Sequence, residues 1–176
     1  MPSSQAPVEI VPYDATWPLR FEEEARHLHV VLRPWLAGSI EHIGSTAVPG
    51  LPAKPVIDIM AAVESLDTSR PAIDALVDAA YCYAPYRAHA EHWFCKPSPF
   101  FRTHHLHLVP AASRQWIEAI AFRDYLRAHA AIASEYAALK QDLAERYRTD
   151  REAYTVAKQP FIERILKRAL PRNNEA

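Results

Sequence analysis

Glycine is almost missing from this chain: 176 residues carry 3, Gly38, Gly44 and Gly50, against 15 prolines. Glycine gives the backbone its widest conformational range, so the freest positions are gathered in one stretch between residues 38 and 50. Cysteine is nearly as scarce. Cys82 and Cys95 are the two present and neither sits in a Cys-x-x-Cys pair, which excludes a disulfide-stapled miniature and a thiolate zinc site. Two buried thiols in a reducing cytosol is the favoured reading, with one cross-strand disulfide as the alternative. An excess of charge is missing too, with 20 Lys and Arg against 21 Asp and Glu. That balance gives no general grip on nucleic acid or an anionic membrane, so a polyanion would need a local pocket. No apolar run reaches the roughly 20 residues that a spanning helix needs. The opening Met-Pro-Ser-Ser-Gln-Ala-Pro does not read as a signal peptide. The expectation is a cytoplasmic chain, about one domain long, able to bury a core without staples.

What is present divides by hydrophobic period. Residues 1–7 read as a disordered tail. Phe21, Ala25, Leu28, Leu32 and Trp35 keep helical spacing from Trp17 to about Leu36, and Glu22, Glu23 and Glu24 read as a solvated helix start. Ser39–Ile43 and Pro55–Val63 read as strands, the second apolar on both faces as a central strand is. Ser69 is placed to cap a helix through Tyr81. Two or three antiparallel strands are expected, roughly over 82–87, 91–96 and 103–109. After Pro110 the period is helical only: 113–128 capped by Ser113, 131–147, and 150–170 capped by Asp150 and interrupted at Pro160.

The chemistry concentrates in residues 40–59, Ile-Glu-His-Ile-Gly-Ser-Thr-Ala-Val-Pro-Gly-Leu-Pro-Ala-Lys-Pro-Val-Ile-Asp-Ile. A strand enters a Gly44-Ser45 turn whose amides and hydroxyls can face a phosphate. The next strand carries Asp58 within an apolar run, where it can hold a cation bridging to phosphate oxygens. The plain structural account is a turn-forming loop with Asp58 satisfied by a backbone amide.

This segment resembles the signature of the GrpB family. The likeness extends through Val11-Pro-Tyr-Asp14, Trp17-Pro18, His42-Ile-Gly-Ser-Thr-Ala-Val-Pro-Gly50 and His105-Leu-His107. It continues in Ala121-Phe-Arg-Asp-Tyr-Leu126, Tyr136-Ala-Ala-Leu-Lys140 and Tyr154-Thr-Val-Ala-Lys158, spanning residues 8 to 170. The resemblance implies an α/β (α+β) nucleotidyltransferase-like fold, a small mixed sheet with flanking helices and a helical C-terminal third. Residues 8–172 would form one domain, with the sheet core in 8–110 and the helical part in 111–172. It further implies that Gly44 and Ser45 form the phosphate-facing turn and that Asp58 is the first metal-binding acid. Met60 stands where the second acid is expected, and the His105-Leu-His107 alternation stands where a third would fall. Some members of that family are fused to dephospho-coenzyme A kinase; this sequence has no P-loop and is not that kinase.

His105 and His107, one residue apart on a strand, share a face at about 7 Å. With Asp58 they would suit Zn²⁺ or Mn²⁺ better than Mg²⁺, or they simply line the open face of the sheet. Arg87, Lys96 and Arg102 would form a basic rim. Tyr136/Lys140 and Tyr154/Lys158 each place an aromatic and an ammonium on one helix face; the plain account is a half-buried Tyr beside a solvated Lys. Arg123 and Asp124 read as a salt-bridging pair. The leading function is therefore binding of a nucleotide or another phosphorylated small molecule, with metal-assisted nucleotidyl transfer as the activity. Asp58 is the catalytic candidate, and Gly44, Ser45, Lys54, Lys140 and Lys158 are the ligand contacts. A divalent cation (Mg, Mn or Zn) on Asp58, His105 and His107 is the expected cofactor. The alternatives are a non-catalytic binding or regulatory module, or a metal-dependent hydrolase using Asp58, His105 and His107.

Overall fold

The computed structural model describes residues 7–170, so the expected tail, apart from Pro7, and residues 171–172 lie outside the described chain. The first helix, α1 (Trp17–Val31), buries Trp17, Ala25 and Leu28, and Pro18 sits in its first turn where no amide is needed. It stops five residues short of the apolar spacing's limit at Leu36. The ring of Pro34 would meet the carbonyl of Val30 in a continued helix, and it pushes Arg33 out of the α region. The chain turns instead and enters β1 (Leu36–Ile43).

Five strands make one mixed sheet in the order β1-β2-β5-β4-β3. Besides β1 these are β2 (Ile57–Val63), β3 (Cys82–Ala84), β4 (His92–Pro97) and β5 (Arg102–Pro110). The central pair, β2 and β5, runs parallel and sets Asp58 beside His105 and Met60 beside His107. The outer pairings are antiparallel. Between β2 and β3 lies α2 (Ala72–Asp78). It is shorter than expected and not capped by Ser69, whose hydroxyl donates to the Ser65 carbonyl at 2.7 Å while Pro71 starts the helix.

Alternation along the strands gives the sheet two faces. Ile57, Ile59, Ala61, Leu106, Leu108 and Phe94 pack with Trp17, Leu28, Leu32, Ala72 and Leu76, so α1 and α2 cover one face. The other face is covered only in part, where Ile43, Met60 and Val109 meet Trp116 and Ala119 of α3 (Arg114–Ala128). Three more helices follow, α4 (Ala130–Arg146), α5 (Arg151–Ala157) and α6 (Gln159–Ala169). Ser113 and Asp150 cap α3 and α5 as read, accepting from Trp116 and Ala153 amides at 3.3 and 2.9 Å. Pro160 splits the expected last helix at Lys158. The helices close a second core of Val48, Leu51, Leu126, Tyr136, Phe161 and Ile165. Before α1, the chain ties both parts together: the Val8 amide donates to the Arg148 carbonyl at 2.8 Å, and Val11 bridges Ala53. No helix among the described residues is long and apolar enough to cross a membrane.

Two sequence readings need correction. Glu24 is not a solvated helix-start residue: it is buried under the sheet edge, accepting from the Tyr81 hydroxyl at 2.6 Å and from the Lys96 ammonium. Its two neighbours, Glu22 and Glu23, are exposed. Cys82 and Cys95 face each other across the β3–β4 ladder as free thiols, but only Cys95 is buried.

Truncating Glu24 to Ala strands a buried hydroxyl and an ammonium without their acceptor. Urea denaturation should show a loss of about 2–4 kcal/mol, the scale for breaking a buried charged pair. Glu23→Ala on the exposed side should stay within about 0.5 kcal/mol of wild type.

Candidate functional site

The site begins at the one glycine that nothing else could replace. Gly44 closes β1 with φ 70° and leads into a 3-10 turn, Ser45–Ala47. A Cβ at this position would lie 2.5 Å from Asp58 Oδ2 and 3.1 Å from its Cβ and Cγ. Both the backbone conformation and the contact demand glycine. The loop backbone therefore lies directly against the Asp58 carboxylate, which β2 carries from below.

Side chains behind the loop hold it there. Thr46 donates to the Val56 carbonyl at 3.3 Å, leaving its oxygen to accept from His42 Nε2 at 2.9 Å. His42 is stacked on Phe21 with ring centres 4.7 Å apart, and burial pushes its pKa down to about 4, outweighing the attraction of Asp58, so it is neutral. From α3, Arg123 reaches Glu41 at 2.7 Å and the His42 carbonyl at 3.0 Å, besides Asp124 at 2.7 Å. Arg127, one turn on, donates to the Ala47 carbonyl at 2.9 Å. Arg123 is thus more than half of a salt bridge: it fastens α3 to the strand that feeds the loop.

On the sheet, His105 Nδ1–H donates to Asp58 Oδ1 at 2.8 Å. Burial opposes charge on both partners. For Asp58 the hydrogen bond from His105 and the positive field of its neighbours, Lys54 among them, overcome that penalty, and its pKa is lowered. For His105 burial prevails over the Asp58 attraction, its pKa falls, and a neutral imidazole results. Its Nε2 is buried and has no hydrogen-bond partner. His107 points from the same face but turns to Glu91, donating from Nδ1 at 2.5 Å. Glu91 is fully buried and also accepts from Arg87 at 2.7 Å and Gln115 at 2.8 Å. Neither Glu91 nor Gln115 figured in the sequence reading. A lone carboxylate abutting the apolar run of β4 was the available signal.

The three lysines arrive from three segments. Lys54 precedes β2, Lys140 lies on α4, and Lys158 joins α5 to α6. Each ammonium lies over a tyrosine ring: Lys140 over Tyr136 at 5.0 Å, Lys158 over Tyr154 at 4.5 Å, and Lys54 over the same Tyr154 at 5.2 Å. Both tyrosines are buried, and so is Lys140, which donates to the Pro52 carbonyl. The plain account of solvated lysines fails here. Lys140 and Lys158 both feel the field of Asp58, and the buried Tyr136 hydroxyl neighbours Ser45. Burial, and then the charge of Lys158, lower Lys140 to about 7 and Lys54 to about 8, with Arg151 adding to the effect on Lys54. Of the expected basic rim, Arg102 stands at the cleft, 5.2 Å over Trp93. Arg87 is spent on Glu91, and Lys96 is bound to Glu24, which packs on the opposite sheet face. A separate groove of about 430 Å³ lies between Val48–Pro52 and the α3–α4 corner and contains none of these lysines.

The donor chemistry bears on the metal that the resemblance implies. Among the described residues no three His, Cys, Asp or Glu side chains are grouped to hold an ion. Asp58 gives one oxygen to His105, and Glu91 gives both of its oxygens to protein donors. Lys54 and Lys158 rest over the Tyr154 ring and Lys140 over Tyr136, all within the field of the same carboxylate. This set fits an anion better than Mg²⁺, which asks for oxygen ligands and little competing positive charge.

The GrpB protein family profile matches residues 7–168. The chain belongs to the GrpB family. A UPF0157 protein of Pseudomonas aeruginosa is 41% identical over 168 residues, which cover 93% of this chain and 68% of that one. The crystal structure of conserved protein GrpB from Enterococcus faecalis matches with a TM-score of 0.82 at 35% identity, covering 92% of this chain and 96% of that one. The structure of the GLD-2/RNP-8 complex matches with a TM-score of 0.57 at 11% identity, over 84% of this chain and 51% of that chain, a likeness of fold alone. The mixed α/β arrangement with a small sheet, flanking helices and a helical C-terminal part, which the resemblance implied, is thus the fold that this chain shares with the GrpB crystal structure.

Two outcomes follow from this geometry. Gly44→Ala should cost about 2–4 kcal/mol, from the positive φ and the contact with Asp58 together, measured by denaturant unfolding. Without ligand, stability should rise with pH between about 7 and about 10.5. Over that window the unfolded chain holds the Lys140 proton and the folded chain does not. The Lys140 contribution is up to about 1.4 kcal/mol per pH unit, and Lys140→Met should flatten the slope by that much.

Proposed function

We propose that this GrpB-family chain binds a nucleotide or another phosphorylated small molecule in the cleft formed by the Gly44–Ala47 turn, Asp58 and the three lysines. The observation that carries the reading is that Lys54, Lys140 and Lys158, from three segments, are held over the buried Tyr154 and Tyr136 rings with one carboxylate, Asp58, in their field. Partly dry ammonium groups in such excess call for an anion, because burying unpaired like charge is costly. Phosphate supplies that anion and several acceptor oxygens at once.

The roles divide by segment. The Ser45 hydroxyl and the turn it belongs to face the phosphate, beside Tyr136. Lys158 and Lys54 both rest over the ring of Tyr154, which holds the two ammonium groups close to one another. Asp58 keeps His105 oriented and limits the positive field. For nucleotidyl transfer or hydrolysis Asp58 would be the catalytic group. It is the sole acid of β2 and is already bonded to His105, so binding without turnover is the reading supported best.

Calorimetric titration with nucleotides, sugar phosphates and coenzyme A precursors tests the proposal. At least one should bind below millimolar concentration, and Ser45→Ala or Lys158→Ala should weaken it by roughly 1–3 kcal/mol, the scale of a lost charged hydrogen bond. Absence of binding by all of them, with and without divalent cations, refutes the proposal.

A further inference from the structure

We infer that the cleft holds its phosphorylated ligand without a divalent cation, Lys54, Lys140 and Lys158 supplying the charge neutralisation that metal ions give elsewhere in this fold; the inference rests on the phosphate-binding reading above. The argument is one of charge and of side chains already committed. From the sheet, the cleft offers Asp58, His105 and His107. The loop before β2 offers Lys54, and the start of β5 offers Arg102. The C-terminal helices offer Lys140, Lys158, Tyr136 and Tyr154. One carboxylate is therefore set among three lysines, two of them over the Tyr154 ring and the third anchored on Pro52, and both oxygens of the nearby Glu91 are taken by Arg87, His107 and Gln115.

A free diphosphate, with several negative charges, complements that field. A cation-chelated diphosphate carries less charge and brings a further positive ion among the ammonium groups, where repulsion in a partly dry site is strong. The lysines are also fixed before any ligand arrives. Lys140 is anchored on the Pro52 carbonyl, and the other two lie over one buried ring, so little side-chain entropy remains to be lost on binding. A metal site asks for the opposite preparation, with several acceptor oxygens left uncommitted, whereas here Asp58 has one oxygen bonded to His105 and Glu91 has both of its oxygens taken.

The inference gives Asp58 a sign that the two views do not share. Where a cation bridges Asp58 to phosphate, Asp58→Asn destroys binding. Where ammonium groups hold the phosphate directly, removing the one negative charge strengthens the field, while the Asn oxygen still accepts from His105.

Isothermal titration of the full chain with inorganic diphosphate and with ADP, each in EDTA and in Mg²⁺, decides the matter. The expected result is an affinity in EDTA equal to or tighter than that in Mg²⁺, tightened by about threefold to tenfold in Asp58→Asn. Lys54→Met, on a half-buried loop position that tolerates change, should weaken binding in EDTA by about tenfold or more. Binding that appears only with Mg²⁺, or that a folded Asp58→Asn loses, or that Lys54→Met leaves untouched, overturns the inference and leaves the phosphate-binding reading standing. If the chain fails to bind either probe in either buffer, the inference falls together with that reading for these ligands.

Discussion

Everything at the cleft depends on how closely the Gly44 backbone lies against the Asp58 carboxylate. Two antiparallel strands carry the pair, and the missing side chain lets the turn descend onto the acid. From that contact the rest is arranged outward. His42 and Thr46 brace the turn from beneath, Arg123 and Arg127 fasten it from α3, and Ser45 reaches Tyr136 on α4. A shift of the loop by one side-chain width would loosen each of these in turn.

The fold was legible because its signals are local and repeated. The two-faced apolar run of β2, the His-Leu-His alternation of β5, the helical period after Pro110 and the caps Ser113 and Asp150 each speak for themselves, and the structure bears them out. Helix ends were less legible, since the apolar stripe of α1 continues past the point where Pro34 ends the helix. Parallel pairing of β2 with β5 depends on residues some 47 positions apart, the separation of Asp58 from His105, and no local pattern encodes it.

The site was legible in its parts but not in its partnerships. Gly44, Ser45, Asp58 and the lysines could be named from motif and spacing. That Lys140 is buried could not, because a Lys beside a Tyr on a helix has the same spacing whether the face is wet or dry. His105 and His107 share a face as read, yet they serve different carboxylates, and one of those is Glu91, fourteen residues before the first of them. Glu24 shows the same limit from the other side: three consecutive glutamates look alike in sequence, and only the helix phase sends the third inward.

The segment before α1 gives the molecule a different kind of property. Val8 is hydrogen-bonded to Arg148 at the end of the α4 region, and Val11 bridges Ala53, the neighbour of Lys54. Val8 also packs with Leu143, Ala144 and Tyr154. This short strap therefore belongs to neither the sheet nor the helices, and it links the mobility of one to the other. Were the helices to swing away and widen the cleft, the strap would have to detach from Ala53 or from Arg148. The strap thus adds backbone bonds of its own to the Arg123, Arg127 and Lys140 contacts that already fasten the helices to the strand and loop, so the N-terminal segment is a third tie between the two parts of the molecule.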